Sequence, residues 1–136
     1  MVEIHVEYQG DFLCKLRHGP SGTEVTTDPP TDNQGKGRSF SPTDMIAGAL
    51  GSCMVTTIAM VAQRRGWDVT GIRARVVKQM TNQPVRRIAR LQVTIAFPRA
   101  FDQEQRELLE RAAKACPVHH CLHPEIETPV EFVYPA

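Results

Sequence analysis

The sequence predicts an α+β fold, because short strand patterns surround two longer helical patterns. Runs of alternating polarity, bounded by turn residues, mark six strands. These strands lie at residues 2–8, 12–18, 24–27, 67–80, 85–97 and 129–134. Apolar residues at spacings of three and four mark one helix after Ser41 and another after Asp102. The chain has 136 residues, 41% of them hydrophobic, which suffices for one core. We therefore expect a single domain spanning residues 1–136.

The spacing of the strands predicts two antiparallel ribbons and one long loop. Gln9-Gly-Asp11 separates the first two runs as a hairpin turn would, and Thr81-Asn-Gln-Pro84 separates the two long runs in the same way. Residues 28–39 are rich in Pro, Gly, Asp and Asn and contain no large apolar side chain. We expect a loop there, and loops of this length in compact domains are often functional.

The first helix begins with a capping pattern. Ser41 suits the N-cap, Pro42 suits the first helical position, and Asp44 is placed to complete a capping box. Residues 45–62 carry no charge over 18 positions, which is close to the length of a membrane span. Glycine, serine and threonine dilute the hydrophobicity of this run, so we predict a buried core helix and no membrane span.

A cysteine lies on the predicted apolar stripe of this helix. The stripe comprises Ile46, Ala49, Leu50, Cys53, Thr57 and Met60. Free cysteine is among the most buried residue types, so Cys53 can be a packing residue. The small residues around it, Gly48, Gly51 and Ser52, would also let a substrate or another backbone approach the thiol. Both interpretations remain open from these residues alone.

The second helix ends beside another cysteine. Asp102-Gln-Glu-Gln105 is a capping signal, and the helical pattern continues to about residue 115. Cys116 follows it and precedes Pro117, so Cys116 can end this helix or cap a following short turn, where backbone N–H groups lower the pKa of a thiol. Residues 116–123 also hold five potential zinc ligands: Cys116, His119, His120, Cys121 and His123. Their spacing does not match a known zinc motif, so structural zinc is a lesser alternative.

Composition limits the other functions. Sixteen basic and fifteen acidic residues give a formal charge of +1, which offers little attraction for nucleic acid. The first residues alternate like a strand and lack the basic head and apolar core of a secretory signal. Four cysteines in such a chain are expected to be reduced, and we expect a cytoplasmic protein without a nucleic-acid or membrane partner.

The two cysteine segments resemble those of the OsmC/Ohr family, the osmotically inducible and organic-hydroperoxide-resistance proteins. The similarity rests on Ser41-Pro-Thr-Asp44, on Ala49-Leu-Gly-Ser-Cys53-Met, on Lys114-Ala-Cys116-Pro-Val-His and on the loop from Asp28 to Phe40. It implies a fold in which curved antiparallel sheets wrap two central helices. It also implies an intertwined homodimer whose active sites lie at the subunit interface.

The resemblance implies a cysteine-based peroxidase that reduces organic hydroperoxides without a cofactor. Cys53 matches the peroxidatic cysteine and Cys116 the resolving cysteine, so a Cys53–Cys116 disulfide is expected during turnover. The family favours the thiolate with an arginine held by an acidic residue. By analogy, Arg38 is the candidate arginine and Asp44 the candidate acidic residue. A dithiol of lipoyl or thioredoxin type would reduce the disulfide, and a noncatalytic dimer that binds a small molecule or lipid is the alternative.

Overall fold

A computed structural model describes residues 1–136. The chain divides into two compact units, Met1–Ile46 and Ala47–Ala136. The elements are β1 Ile4–Gly10, β2 Leu13–His18, β3 Glu24–Thr27, α1 Pro42–Arg64, β4 Arg73–Thr81, β5 Arg87–Ala96, α2 Gln103–Lys114, α3 Pro117–Cys121 and β6 Val130–Val133. Two sheets and three helices confirm the predicted α+β class, and the single domain stays a prediction.

The first unit contains an antiparallel sheet in the order β1-β2-β3. Its register places Val6 opposite Leu16 and Leu16 opposite Val25, so apolar residues of all three strands share one face. Asp11 and Phe12 form the β1–β2 turn with positive φ angles of 54° and 62°. The predicted hairpin and third strand are therefore confirmed.

The predicted loop follows β3 and leads to α1. It contains one turn of 3-10 helix at Thr31–Asn33 and no strand. Ser41 then caps α1, because the backbone N–H of Asp44 donates to Ser41 Oγ at 3.1 Å. In return the backbone N–H of Ser41 donates to Asp44 Oδ2 at 2.9 Å. The predicted start of the helix and its capping box are confirmed.

The second unit contains a three-stranded sheet in the order β4-β5-β6. The pair β4–β5 is antiparallel, as predicted, whereas β6 lies parallel to β5. The chain passes through α2 and α3 between β5 and β6, and a crossover of this kind returns a strand in the parallel direction. Residues 67–72 were expected to extend β4 but contain no strand; they include a turn at Thr70 and Gly71, where Gly71 adopts a φ of 96°.

The core of the second unit fixes which side of α1 faces inward. Its fully buried α1 residues are Leu50, Met54, Ile58 and Ala62. The predicted stripe is wrong in part, because Ile46 and Met60 are 40% and 53% exposed. Gly51 explains the difference: a Cβ at this position would lie 2.9 Å from Val76 Cγ2, so the glycine lets α1 approach β4 closely. α1 is long and apolar enough to cross a membrane, but its buried stripe is that of a core helix.

Cys116 lies where α2 ends and α3 begins, and the N-caps of these two helices fix its position. Asp102 and Gln105 form the predicted capping box of α2, with reciprocal hydrogen bonds of 2.8 and 3.0 Å. α2 ends at Lys114, and Cys116 is the N-cap of α3, with Pro117 at its first position. Of the two interpretations of Cys116, the structure selects the cap of the following turn.

Candidate active site

The two predicted redox cysteines meet within the second unit. Cys53 lies in the middle of α1 and is half-buried against the core. Cys116 lies between α2 and α3 and is fully buried in the same core. Cys53 lies close enough to Cys116 to contribute to the raised pKa of that thiol, and both cysteines are free. A nucleophile and a resolving thiol require this proximity, because a disulfide forms only between sulfurs that can approach to about 2.0 Å.

The surroundings of Cys116 favour its protonated form. Burial raises the pKa of the Cys116 thiol above its ordinary value of 9.0, and the adjacent Cys53 adds to this effect. The backbone N–H of His119 acts in the opposite direction by donating to Cys116 Sγ at 3.3 Å. Burial is the largest cause, so Cys116 retains its proton at neutral pH. A protonated thiol can condense with a sulfenic acid and release water.

Arg38, the predicted arginine, belongs to an ionic network in the first unit. Its Nε donates to Asp28 Oδ2 at 2.7 Å, and its backbone N–H donates to the same oxygen at 2.9 Å. Its terminal nitrogens donate to Asp11 Oδ2 at 3.1 Å and to the Asp11 carbonyl at 3.2 Å. A guanidinium has five N–H donors, so two of them remain for another anionic group.

Asp28 anchors this network. Its side chain is fully buried, and the backbone N–H of Lys36 donates to Asp28 Oδ1 at 3.4 Å. The hydrogen bond from the Arg38 side chain, together with those from the Arg38 and Lys36 backbone, lowers the pKa of Asp28 from 3.8 to about 2. Asp28 therefore stays ionised and holds both the loop and the guanidinium in place.

Sequence reasoning assigned the acidic partner of Arg38 to Asp44. The structure gives Asp44 the capping box with Ser41, and the carboxylates that bind the Arg38 guanidinium are those of Asp28 and Asp11. Neither was predicted, because they precede Arg38 by 10 and 27 positions. The one available signal was an aspartate at the start of a loop otherwise made of turn residues. A role for Asp44 in catalysis stays a prediction.

An open groove runs along α1, beginning three positions after Cys53. It has a volume of about 550 Å³ and lies between the C-terminal half of α1 and residues 66–72. Its apolar wall includes Ala59, Met60, Trp67 and Ile72. Thr56 lines its near end, three positions from Cys53, and residues three apart lie on the same helix face. A volume of this size is in the range of small-molecule sites.

The remaining potential ligands make local contacts. His119 Nε2 lies 3.0 Å from Thr128 Oγ1, and His123 Nδ1 accepts from the backbone N–H of Glu125 at 3.1 Å. The structure contains no group of three or more His, Cys, Asp or Glu side chains arranged to hold a metal ion. Cys121 is exposed at the end of α3, and Cys14 is half-buried on β2.

Comparisons with known proteins agree with this architecture. A candidate osmotic stress induced and detoxification response protein from Psychrobacter arcticus is 39% identical, with a TM-score of 0.92, covering 97% of this chain and 96% of that one. An organic hydroperoxide resistance protein OsmC from Legionella pneumophila is 12% identical, with a TM-score of 0.75 and coverages of 98% and 96%. One from Elizabethkingia anophelis, with thiocyanate bound, is 14% identical, with a TM-score of 0.75 and coverages of 99% and 96%.

The latter two similarities establish the fold alone, which is the α+β fold of OsmC and organic hydroperoxide resistance proteins. The family assignment follows from sequence. The sequence model described as OsmC-like protein matches residues 35–131, more than half of the chain. No curated protein sequence matches the chain. This protein belongs to the OsmC-like family, as its two cysteine segments predicted.

Proposed function

We propose that this protein is a thiol peroxidase that reduces organic hydroperoxides with Cys53 and Cys116. The observation that carries the proposal is the packing of Cys53 against the core that contains Cys116, close enough to affect the pKa of the Cys116 thiol. Packing alone does not require two adjacent thiols there. Membership of a family whose structural relatives include organic hydroperoxide resistance proteins supports the same chemistry.

The reaction would proceed in two thiol steps. The Cys53 thiolate attacks the terminal oxygen of the O–O bond, giving a Cys53 sulfenic acid and an alcohol once the alkoxide takes a proton. The Cys116 thiol then displaces water from the sulfenic acid and forms a Cys53–Cys116 disulfide. The proton of the Cys116 thiol leaves with the hydroxyl group of the sulfenic acid as water, so this step needs no other proton donor. A dithiol of lipoyl or thioredoxin type returns the two electrons.

Arg38 is our candidate for the cation that favours the Cys53 thiolate. Its charge is fixed, because Asp28 and Asp11 raise the pKa of its guanidinium further. Its two remaining N–H groups can bind a thiolate or a peroxide oxygen. Asp28 and Asp11 would act as positioning residues, since they orient the guanidinium without requiring contact with the substrate.

We further propose that the chain works as a homodimer. Ile4, Val6 and Tyr8 alternate along β1 and are 54%, 63% and 62% exposed, so one face of the first sheet presents an uncovered apolar surface. Met60 on α1 is a further exposed apolar residue, outside this sheet. A second copy of the chain would cover such surfaces. The four free cysteines suit a reducing compartment, and we propose the cytoplasm.

The experiment that tests the function compares peroxide consumption by the wild type, Cys53→Ser and Cys116→Ser, with cumene hydroperoxide and dihydrolipoic acid. We expect Cys53→Ser to lose turnover entirely. Cys116→Ser should lose turnover after the first equivalent, because its sulfenic acid has no partner thiol in the core and further peroxide oxidises it to sulfinic acid. Cys14→Ser, altered on β2 outside this thiol pair, is the matched control. Equal activity in Cys53→Ser and wild type would reject the proposal.

The groove along the C-terminal half of α1 favours one second candidate, noncatalytic binding of an apolar small molecule. Its walls bring Met60, Trp67 and Ile72 together around a volume of about 550 Å³. The same groove can seat the organic part of a hydroperoxide, so the two functions differ in the role of Cys53. Binding of a fluorescent fatty acid that is unchanged in Cys53→Ser, in a protein that consumes no peroxide, would favour the binding function.

A further inference from the structure

Three of the four cysteines, Cys53, Cys116 and Cys121, lie in the second unit. Cys53 packs against the core that contains Cys116, and Cys121 lies five positions beyond Cys116, at the last residue of α3. Cys116 is fully buried, Cys53 is half-buried and Cys121 is exposed. A Cys53–Cys116 disulfide would therefore hide one sulfur completely and the other partly. Reduction requires a thiolate to touch a disulfide sulfur, so this disulfide is a poor target for an external dithiol.

The segment between Cys116 and Cys121 is held by the sulfur that becomes oxidised. The backbone N–H of His119 donates to Cys116 Sγ at 3.3 Å, which caps α3 at its N-terminus. At the other end, the backbone N–H of Leu122 donates to the His119 carbonyl at 3.3 Å. α3 has five residues and none of them is buried. A helix of this length has little stability of its own, so its cap matters.

Oxidation of Cys116 changes that cap. A disulfide brings the two sulfurs to about 2.0 Å, and any movement of Cys116 Sγ toward Cys53 alters the hydrogen bond that it accepts from the His119 N–H. In a regular α-helix, residues five positions apart have Cα atoms about 8–9 Å apart, beyond the roughly 7 Å that a disulfide can bridge. Cys121 can therefore reach Cys116 only when α3 unwinds, and loss of the sulfur cap favours unwinding.

We propose that Cys121 is a third redox thiol, which takes over the disulfide from Cys53 and presents it at the surface to the reductant. The Cys121 thiolate attacks Cys116 Sγ, the bond from Cys116 to Cys53 breaks, and Cys53 leaves as a thiolate. One thiolate replaces another, so this exchange consumes no electrons. An external dithiol then reduces the Cys116–Cys121 bond, becoming a disulfide itself while both cysteines regain their protons. As a step of peroxide reduction, this relay depends on the proposed peroxidase function of Cys53 and Cys116.

The order of disulfides tests the relay directly. Reduced protein is mixed with one equivalent of cumene hydroperoxide, quenched in acid at successive times, alkylated and mapped by mass spectrometry. We expect the Cys53–Cys116 bond first and the Cys116–Cys121 bond after it. Cys121→Ser should form the first bond at the wild-type rate and never the second. Its reduction by dihydrolipoic acid should be at least about tenfold slower. Cys14→Ser should behave like the wild type in both steps.

A second oxidant separates the relay from the peroxidase function. Diamide oxidises thiols to disulfides without a peroxide, so it tests the exchange even in a protein that consumes no peroxide. If the Cys116–Cys121 bond forms with diamide but not with cumene hydroperoxide, the result would support the relay and count against the peroxidase function. Absence of this bond with both oxidants, or equal reduction rates for wild type and Cys121→Ser, would overturn the relay. The proposal that Cys53 and Cys116 reduce peroxide would not be affected by that result.

Discussion

Cys53 in the middle of α1 packs against the core that contains Cys116, the N-cap residue of α3, although the two cysteines lie far apart in the sequence. Their environments differ: Cys53 is half-buried, whereas burial raises the pKa of the Cys116 thiol. In the proposed mechanism, the more accessible Cys53 is therefore the nucleophile, and the buried, protonated Cys116 is the resolving thiol.

The position of α1 depends on Gly51. An alanine Cβ there would lie 2.9 Å from Val76 Cγ2, whereas a Cβ at Gly48 would meet nothing within 4 Å. Both substitutions gain helix propensity, worth up to about 1 kcal/mol, so the difference between them isolates the contact. We expect Gly51→Ala to be less stable than Gly48→Ala by roughly 1–3 kcal/mol. Urea unfolding at one protein concentration measures this, and equal stabilities would show that α1 does not need a close approach at Gly51.

The loop before α1 should respond to acid through Asp28. Hydrogen bonds from Arg38 hold the pKa of Asp28 at about 2, below its ordinary 3.8. Between these values the unfolded chain binds more protons than the folded chain, so the free energy of unfolding falls as pH falls from about 4 to 2. Asp28→Asn should be less stable at pH 7 and lose less stability over this window.

Urea titrations at several pH values measure that slope. Asp32→Asn, changed in the exposed 3-10 turn of the same loop, is the control and should keep the wild-type slope. An Asp28→Asn variant with the wild-type pH dependence would mean that Asp28 does not carry the acid sensitivity.

The proposed role of Arg38 predicts a change in thiol reactivity. If its guanidinium favours the Cys53 thiolate, Arg38→Ala should raise the pH at which Cys53 reacts with iodoacetamide. Peptide mapping follows Cys53 separately from the other thiols. Circular dichroism checks the fold, because the substitution removes a partner of the buried Asp28. Arg86→Ala, an exposed residue between β4 and β5, is the control. An unchanged profile would leave Arg38 with a structural role in the loop, and Arg17 on β2 would be the next arginine to test.

The uncovered face of β1 predicts a dimer that a single substitution weakens. Val6 and Glu7 are neighbours on β1 and point to opposite faces of the sheet. We expect wild-type protein to sediment as a dimer at micromolar concentration. Val6→Gln should shift the equilibrium toward the monomer, whereas Glu7→Gln should not. A compact wild-type monomer that unfolds cooperatively would remove both the dimer and a shared active site.

Much of this architecture followed from local signals in the sequence. The caps at Ser41 and Asp102, the hairpin turn and the pre-helix loop all depend on residues within a few positions of one another. The functional thiols were identifiable as well, because Cys53 and Cys116 lie in segments that resemble those of a known family.

The features that were missed depend on contacts between distant residues. The buried side of α1 is chosen by β4, through Gly51 and Val76, and hydrophobic spacing alone placed it incorrectly. The parallel pairing of β6 results from the route of the chain through α2 and α3. Asp28 was predicted only as a loop residue, because its partner Arg38 lies across the loop.

Disulfide mapping after a single peroxide addition is the most direct test of whether Cys53 and Cys116 reduce peroxide together. Reduced wild-type protein and the Cys116→Ser variant each receive one equivalent of cumene hydroperoxide, and their cysteines are mapped by mass spectrometry. We expect wild-type protein to consume the peroxide and the Cys53–Cys116 disulfide to form first. We expect Cys116→Ser to carry sulfenic acid on Cys53, which further peroxide converts to sulfinic acid. Unconsumed peroxide, with Cys53 still a free thiol in both proteins, would contradict the account and leave Cys53 as a packing residue.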